Sequence, residues 1–375
     1  MPPVNILIKP ASSACNLACE YCFYRDVAAH REHEFEGKLS LDFMEKVISS
    51  GMDFADDVCT FAFQGGEPTL AGIEFFEKTL DLQKKYSRPG VEIRNAIQTN
   101  GTLIDEEWAA FLAENHFLVG LSLDGPSENH NLNRVGKNGE KSFNAVMRAV
   151  RLFRKYQVDF NILCVLTGKN ARSIEKIYTF CKKEKFEWLQ FIPCLEPFDA
   201  AQGMSRYALS AEDYGNFLVK IFRLWFADLQ RGDYISIRHL DNWLSIMLGE
   251  PPEACNMVGS CSIQFVIEGN GGVYPCDFYV LDSWKLGTVG EMSFLEIMRS
   301  PKAEEFVTVS RFIPEKCKQC QWYPLCRNGC RRERDNDGLY RYCSSMQYFF
   351  SSCWKELLTA ADWIREIRKR NMILK

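Results

Sequence analysis

The sequence lacks a dominant charge, with 45 lysines and arginines against 49 aspartates and glutamates and a net charge of −4. No field of one sign draws the chain toward nucleic acid or an anionic membrane, so a partner must be chosen by a local site. It lacks any apolar run of the roughly 18 residues that would read as a membrane span. Its opening, MPPVNILIKP, lacks the basic-then-apolar layout of a signal peptide, so a cytoplasmic location is expected. Low-complexity segments are missing too, and 46% apolar residues in a chain of 375 exclude intrinsic disorder. At roughly 150 residues per domain the length suggests two to three domains, or one large α/β unit with an appendage.

What the sequence has in excess is cysteine, sixteen in all. A chain of this size without an export signal keeps its thiols reduced, and clustered cysteines there bind metal rather than form a disulfide scaffold. Cys15, Cys19 and Cys22 lie together near the N-terminus, and Cys255, Cys261, Cys276, Cys317, Cys320, Cys326, Cys330 and Cys343 fall in one C-terminal region. Cys59, Cys164, Cys181, Cys194 and Cys353 sit singly in apolar or helical stretches and read as small core or surface residues.

Between the cysteine-rich ends, short β-rich runs alternate with amphipathic helical ones. Strands are predicted at 5–9, 60–64, 93–99, 118–123, 160–166 and 189–193, and stretches such as LDFMEKVISSGMDF and SFNAVMRAVRLFRKY repeat apolar residues at three and four. Alternation of this kind argues for a parallel sheet of right-handed βαβ units, although periodicity does not say whether it closes. In such sheets chemistry collects at the C-terminal strand ends, which here run into GGEPT, TNGT, DGPS and TGKN. Two longer helices are predicted at 212–229 and 239–248, a hairpin in QFVIEGNGGVYPC, and a final helix from about 345 to 370. The expected division is a barrel over 1–209, a helical connector over 210–254, a cysteine-rich domain over 255–345 and a C-terminal helix over 346–375.

Cys15, Cys19 and Cys22 are spaced C-x3-C-x2-C, so one loop brings three thiolates around one centre. Structural zinc takes four ligands, and His30 and His33 lie in a charged run that reads as solvated. Three thiolates on a 4Fe-4S cube leave one iron open to a small molecule. The paired glycines of Gln64-Gly65-Gly66-Glu67-Pro68 allow close backbone approach to a ligand, or simply a tight turn. Ser122 and Asp124 follow the fourth strand, placed to reach the ribose or carboxylate of a bound ligand, and Arg134 has the planar fork that suits a carboxylate. A helix cap and a surface arginine are the plain alternatives for Ser122 and Arg134. Taken alone, Cys317, Cys320, Cys326 and Cys330 would pass for a zinc ribbon, but eight cysteines make two sets of four.

CNLACEYC resembles the signature of the radical S-adenosylmethionine (SAM) enzymes, and the C-terminal cysteines resemble the SPASM domain. The resemblance implies a partial (β/α)6 TIM-like radical SAM barrel of the α/β class with a C-terminal cysteine-rich SPASM domain. It implies three 4Fe-4S clusters with S-adenosyl-L-methionine on the N-terminal one. It further implies SAM contacts at Tyr21, Gly66, Ser122, Arg134 and Leu195. By the same resemblance Cys255, Cys261, Cys276 and Cys330 hold one auxiliary cluster, and Cys317, Cys320, Cys326 and Cys343 hold the other. Fully ligated cubes have no open iron, so they only pass electrons and the reaction is an oxidation.

Across nearly the whole chain, in stretches such as IKPASSACNLACEYCFY, FAFQGGEPTLAG, FLVGLSLDGP and VYPCDFYVLD, the sequence is most similar to anaerobic sulfatase-maturating enzymes. That likeness implies oxidation of a Cys or Ser side chain in an unfolded sulfatase polypeptide, within a segment Cys/Ser-x-Pro/Ala-x-Arg, to Cα-formylglycine. Asp277, next to Cys276, would take the thiol or hydroxyl proton, with a flavodoxin or ferredoxin as electron donor. The main alternative is a maturase that crosslinks a ribosomally made peptide, disfavoured because only fourteen residues precede Cys15. A non-enzymatic zinc-binding module would leave the three-thiolate site without purpose.

Overall fold

A computed structural model describes residues 4–201 and 203–373, with side chains through residue 367. One ten-stranded sheet runs through the molecule. Its strands are β1 (Val4–Ile8), β2 (Val58–Phe63), β3 (Glu92–Thr99), β4 (Leu118–Ser122), β5 (Phe160–Leu166), β6 (Trp188–Pro193), β7 (Ser236–Ile237), β8 (Val266–Ile267), β9 (Gly272–Tyr274) and β10 (Gly287–Thr288). The order is β10-β9-β8-β1-β2-β3-β4-β5-β6-β7. Strands β1 to β7 are parallel neighbours in sequence order, with pairings such as Ile6 with Phe61 and Leu121 with Ile162. The order is linear, so the sheet stays open at β7 and β10, as a partial barrel does.

The predicted helices cover the sheet. Helix Leu41–Phe54 buries Met44, Val47, Ile48, Gly51 and Met52 at the spacing of one helical face, and Ser40 caps it by accepting from Phe43 N at 3.2 Å. A Cβ on Gly51 would stand 2.5 Å from Ile6 Cδ1, so this helix approaches β1 closely only because position 51 is glycine. Helix Phe143–Tyr156 buries Val146, Ala149, Val150 and Phe153 in the same manner. The core on that side of the sheet is aromatic, with Phe63 and Phe76 rings 5.0 Å apart and Phe76 5.3 Å from Trp108.

The sheet exceeds the six predicted strands. Of the four additional ones, β8 and β9 fall in the predicted hairpin, whereas β7 and β10 have two residues each, too short to carry an alternating pattern. The hairpin in QFVIEGNGGVYPC forms as β8 and β9, but β8 also pairs in parallel with β1, so the cysteine-rich region extends the barrel sheet instead of standing apart from it. Helix Ala211–Gln230 packs along the last helix, Cys343–Ile373, where Phe226 stacks on Trp363 at 5.6 Å and Phe222 meets Phe349 at 5.8 Å. Among the described residues no helix is long and apolar enough to cross a membrane.

Candidate functional site

The C-terminal ends of the parallel strands open into a cavity of about 310 Å³. Cys15, Cys19 and Cys22 line it from the loop after β1, and Cys255 and Cys330 line it from the cysteine-rich region. Tyr21, Gly66, Ser122, Arg134 and Leu195 all lie on its wall. Asn100 Nδ2 stands 3.8 Å and the Leu17 N–H 3.4 Å from Cys15 Sγ, donors that favour a thiolate there. Burial pushes the Cys15 thiol up to about 11 and Cys19 to about 12, with each further opposed by neighbouring thiolates of the triad. Half-buried thiols such as Cys15 and Cys19, which resist ionising, suit a cationic inorganic centre that takes them as thiolates.

The GGEP turn is built against this loop. Gly66 has φ of 52°, and a Cβ there would meet the Ala14 carbonyl oxygen at 2.2 Å. Only glycine permits both the left-handed backbone and the contact. Glu67 donates its backbone N–H to the Ala14 carbonyl at 2.8 Å, while its buried carboxylate accepts from the Thr99 hydroxyl at 2.7 Å and the Asn100 N–H at 2.8 Å. Glu67 therefore ties the end of β2 to the end of β3 and to the cysteine loop.

Asp124 departs from the expectation that it reaches a ligand beside Ser122. It is fully buried and absent from the cavity wall. One oxygen accepts from the Val165 N–H at 2.9 Å, and the other accepts from the Tyr21 hydroxyl and faces Arg134 Nε at 3.1 Å. Both lone-pair faces are occupied, so Asp124 holds Tyr21 and Arg134 in place from behind. The Arg134 guanidinium lies 5.4 Å from the Tyr21 ring centre, completing a buried unit.

The eight C-terminal cysteines separate into two groups. Ionisation of Cys276 is opposed, after burial, by Cys330, Asp277 and Cys255, and that of Cys330 by Glu333 and then by Cys255 and Cys261. Cys326 is opposed by Cys343, Cys317 and Cys320, and Cys317 by Cys343 and Cys320. The thiols that act most on these four come from Cys255, Cys261 and Cys330 for the first pair and from Cys317, Cys320 and Cys343 for the second. Among the described residues no three His, Cys, Asp or Glu side chains close around a single metal ion. Two sets of four thiols match the donor number of two fully ligated 4Fe-4S clusters, one thiolate to each iron. The five remaining cysteines are buried, and Cys194 alone of them lines the cavity.

Asp277 is 7% exposed and sits one residue behind the wall, between cavity residue Phe278 and cysteine Cys276. Its Oδ2 accepts from the Tyr24 hydroxyl at 2.7 Å and from Gln64 Nε2 at 3.0 Å, whereas Oδ1 is buried without a hydrogen-bond partner. Burial raises its pKa, against the lowering effect of Lys9 and the two donors. Sequence reasoning named Gln64 only as part of the GGEP segment, without its bond to Asp277, and missed Tyr24 and also Gln190, Arg238, His239 and Glu333 on the cavity wall. Arg238 Nη1 donates to Gln190 Oε1 at 3.1 Å. Burial pushes Glu333 up to about 7, although Arg341 and Arg332 act to lower it. None of the missed residues belongs to a motif with fixed spacing, and only the proximity of Tyr24 to Cys22 could have drawn attention to one of them.

Residues 10–181 match the radical SAM superfamily, and residues 255–321 match an iron-sulfur cluster-binding domain, SPASM. The chain is 46% identical over 370 residues to a cysteine-type anaerobic sulfatase-maturating enzyme of Clostridium perfringens, covering 97% of this chain and 100% of that protein. It is 33% identical to a serine-type anaerobic sulfatase-maturating enzyme of Bacteroides thetaiotaomicron, covering 93% of this chain and 89% of that protein. The solved structure of native anSMEcpe with bound AdoMet and Cp18Cys peptide superposes with a TM-score of 0.93 at 46% identity, covering 97% of this chain and 100% of that one.

Proposed function

Since the chain belongs to the anaerobic sulfatase-maturating enzymes of the radical SAM superfamily, we propose that its substrate is the cysteine form of the sulfatase segment. The enzyme is an oxidoreductase that converts a side chain of a sulfatase to Cα-formylglycine. Preference for cysteine is supported by the 46% identity to a cysteine-type relative against 33% to a serine-type one.

The observation that carries the reading is one cavity bounded both by the three N-terminal thiols and by Cys255 and Cys330. A reacting carbon held there lies between a site that starts radical chemistry and a site that accepts an electron. Cys15, Cys19 and Cys22 would hold the first cluster, Cys255, Cys261, Cys276 and Cys330 the second, and Cys317, Cys320, Cys326 and Cys343 the third. When bound, these groups and SAM supply hydrogen-atom abstraction and an electron acceptor. Tyr21, Gly66, Ser122, Arg134 and Leu195 would bind and orient SAM, with Arg134 offering a fixed positive charge to its carboxylate.

Asp277 is the residue for the proton. Tyr24 and Gln64 hold one of its oxygens and leave Oδ1 unengaged, the geometry of a base waiting for a donor. Loss of the substrate thiol proton to Asp277 leaves sulfur able to share electron density with the adjacent carbon as that carbon is oxidised. The unfolded segment Cys-x-Pro-x-Arg and a flavodoxin or ferredoxin are the proposed partners, meeting the enzyme in the cytoplasm.

The test is mass spectrometry of a cysteine-containing sulfatase peptide incubated anaerobically with reduced holoenzyme and SAM. The expected result is conversion of cysteine to formylglycine with release of 5′-deoxyadenosine, and a smaller yield from the serine peptide. An unmodified cysteine peptide overturns the proposal.

A further inference from the structure

Glu333 is an acid with no counterpart in the roles assigned so far. It is 6% exposed, lies on the cavity wall, and its carboxylate has no hydrogen-bond or ion-pair partner among the described residues. Two guanidinium groups, Arg341 and Arg332, act on it by charge, but neither bonds to it, and Arg341 Nε is itself buried without a partner. Arg341 Nη2 is bonded to Glu196 Oε2 at 2.6 Å. Arg332 Nη2 donates to the Glu196 carbonyl at 2.9 Å, and its guanidinium lies 3.8 Å from the Phe198 ring centre. Arg238, the cation on the cavity wall beside Arg134, donates to Gln190.

A carboxylate buried without a bonded partner is costly, and a cation brought into the cavity would offset that cost. Glu333 is held in place by its backbone, with its N–H on the Cys330 carbonyl at 3.0 Å and its carbonyl accepting from the Arg341 N–H at 2.9 Å. It enters the wall from the cysteine-rich region and not from the strand ends that carry Tyr21, Gly66, Ser122 and Arg134. We propose that Glu333 pairs with a guanidinium on the bound polypeptide segment and so selects that segment by charge. The inference rests on reading the cavity as the place where the sulfatase segment binds. A carboxylate and a guanidinium match as a planar two-bond fork, which fixes where along the peptide the reacting side chain stands.

The test is equilibrium binding by calorimetry, with anaerobic holoenzyme, SAM and no reductant, so that no turnover occurs. The probes are a Cys-x-Pro-x-Arg peptide and the same peptide with citrulline in place of arginine. For the unaltered enzyme, citrulline should weaken binding about ten- to a hundred-fold, the range of a charge-assisted bond. Glu333→Gln should weaken the arginine peptide by a similar factor and leave the citrulline peptide as weak as before. Equal binding of both peptides by the unaltered enzyme overturns the inference, without reliance on a variant that folds. Equal weakening of both peptides by Glu333→Gln also overturns it. Failure of the unaltered enzyme to bind the arginine peptide at all overturns the functional reading, and this inference with it.

Discussion

Lys9 Nζ stands 2.9 Å from Glu268 Oε1, with the two side chains 2% and 0% exposed, and this pair locks the end of β1 to the end of β8. Arg31 joins the same oxygen at 3.0 Å, so one carboxylate is shared by two buried cations. Lys9 also lies 5.1 Å from the ring centre of Tyr24, the residue that donates to Asp277. The junction between the barrel sheet and the cysteine-rich hairpin is thus continuous with the support of the proposed base.

That junction makes stability sensitive to acid. Burial raises the pKa of Glu268, but Lys9 and Arg31 outweigh it and hold the group near 2, against an ordinary value of 4.5. A depressed carboxyl stabilises the fold fully above its unfolded value, and the contribution is lost as pH falls from about 4.5 toward 2. Glu268→Gln, which leaves two buried cations short of a partner, should cost about 3–5 kcal/mol at pH 7. The gap in urea midpoint between the variant and the unaltered protein should close over that acid window, and a gap independent of pH would contradict the assignment.

Asp277→Asn keeps the size of the side chain and removes the ability to take a proton. Formylglycine yield should fall by about 10²–10⁴-fold, the usual contribution of a positioned base. Release of 5′-deoxyadenosine should fall far less, and parallel loss of both products would point to a damaged site instead.

Gly66→Ala forces a Cβ into the Ala14 carbonyl at a residue with φ of 52°. The left-handed backbone alone costs roughly 1–2 kcal/mol, and the clash must displace the loop that carries Cys15. Weaker SAM binding and iron loss confined to the N-terminal site are expected, measured by calorimetry and Mössbauer spectroscopy. Unchanged SAM affinity would remove Gly66 from the site.

The three four-iron clusters proposed would give roughly twelve irons per chain. Replacing Cys15, Cys19 and Cys22 by alanine should leave roughly eight and abolish SAM cleavage. Replacing Cys317, Cys320, Cys326 and Cys343 should leave the same number with SAM cleavage intact. Iron and sulfide analysis of anaerobically purified protein reads both counts.

Much of the site was legible in the sequence because its chemistry is local. Cys15, Cys19 and Cys22 fall within one loop, and Gly66 follows its strand directly, so short spacing places each of them. Asp124 shows the limit. Its position after β4 suggested contact with a ligand, yet burial and three partners turn it inward toward Tyr21, Arg134 and Val165. Tyr24, Glu333 and the bond of Gln64 to Asp277 were not legible, since their roles depend on what packs beside them and not on neighbours in the chain.

The sequence by itself determined the kind of chemistry: the number of thiols, their clustering, the open three-ligand set and the alternating strands and helices that make a parallel sheet. Tertiary structure alone decided that β8 adds to β1, that Cys255 and Cys330 share a cavity with Cys15, and that Glu333 faces the same space. The physical reason is range. Ligand spacing and helical periodicity act over a few residues and leave a pattern in the sequence, whereas pairing across the sheet joins segments far apart in the chain and is settled by packing and buried charge.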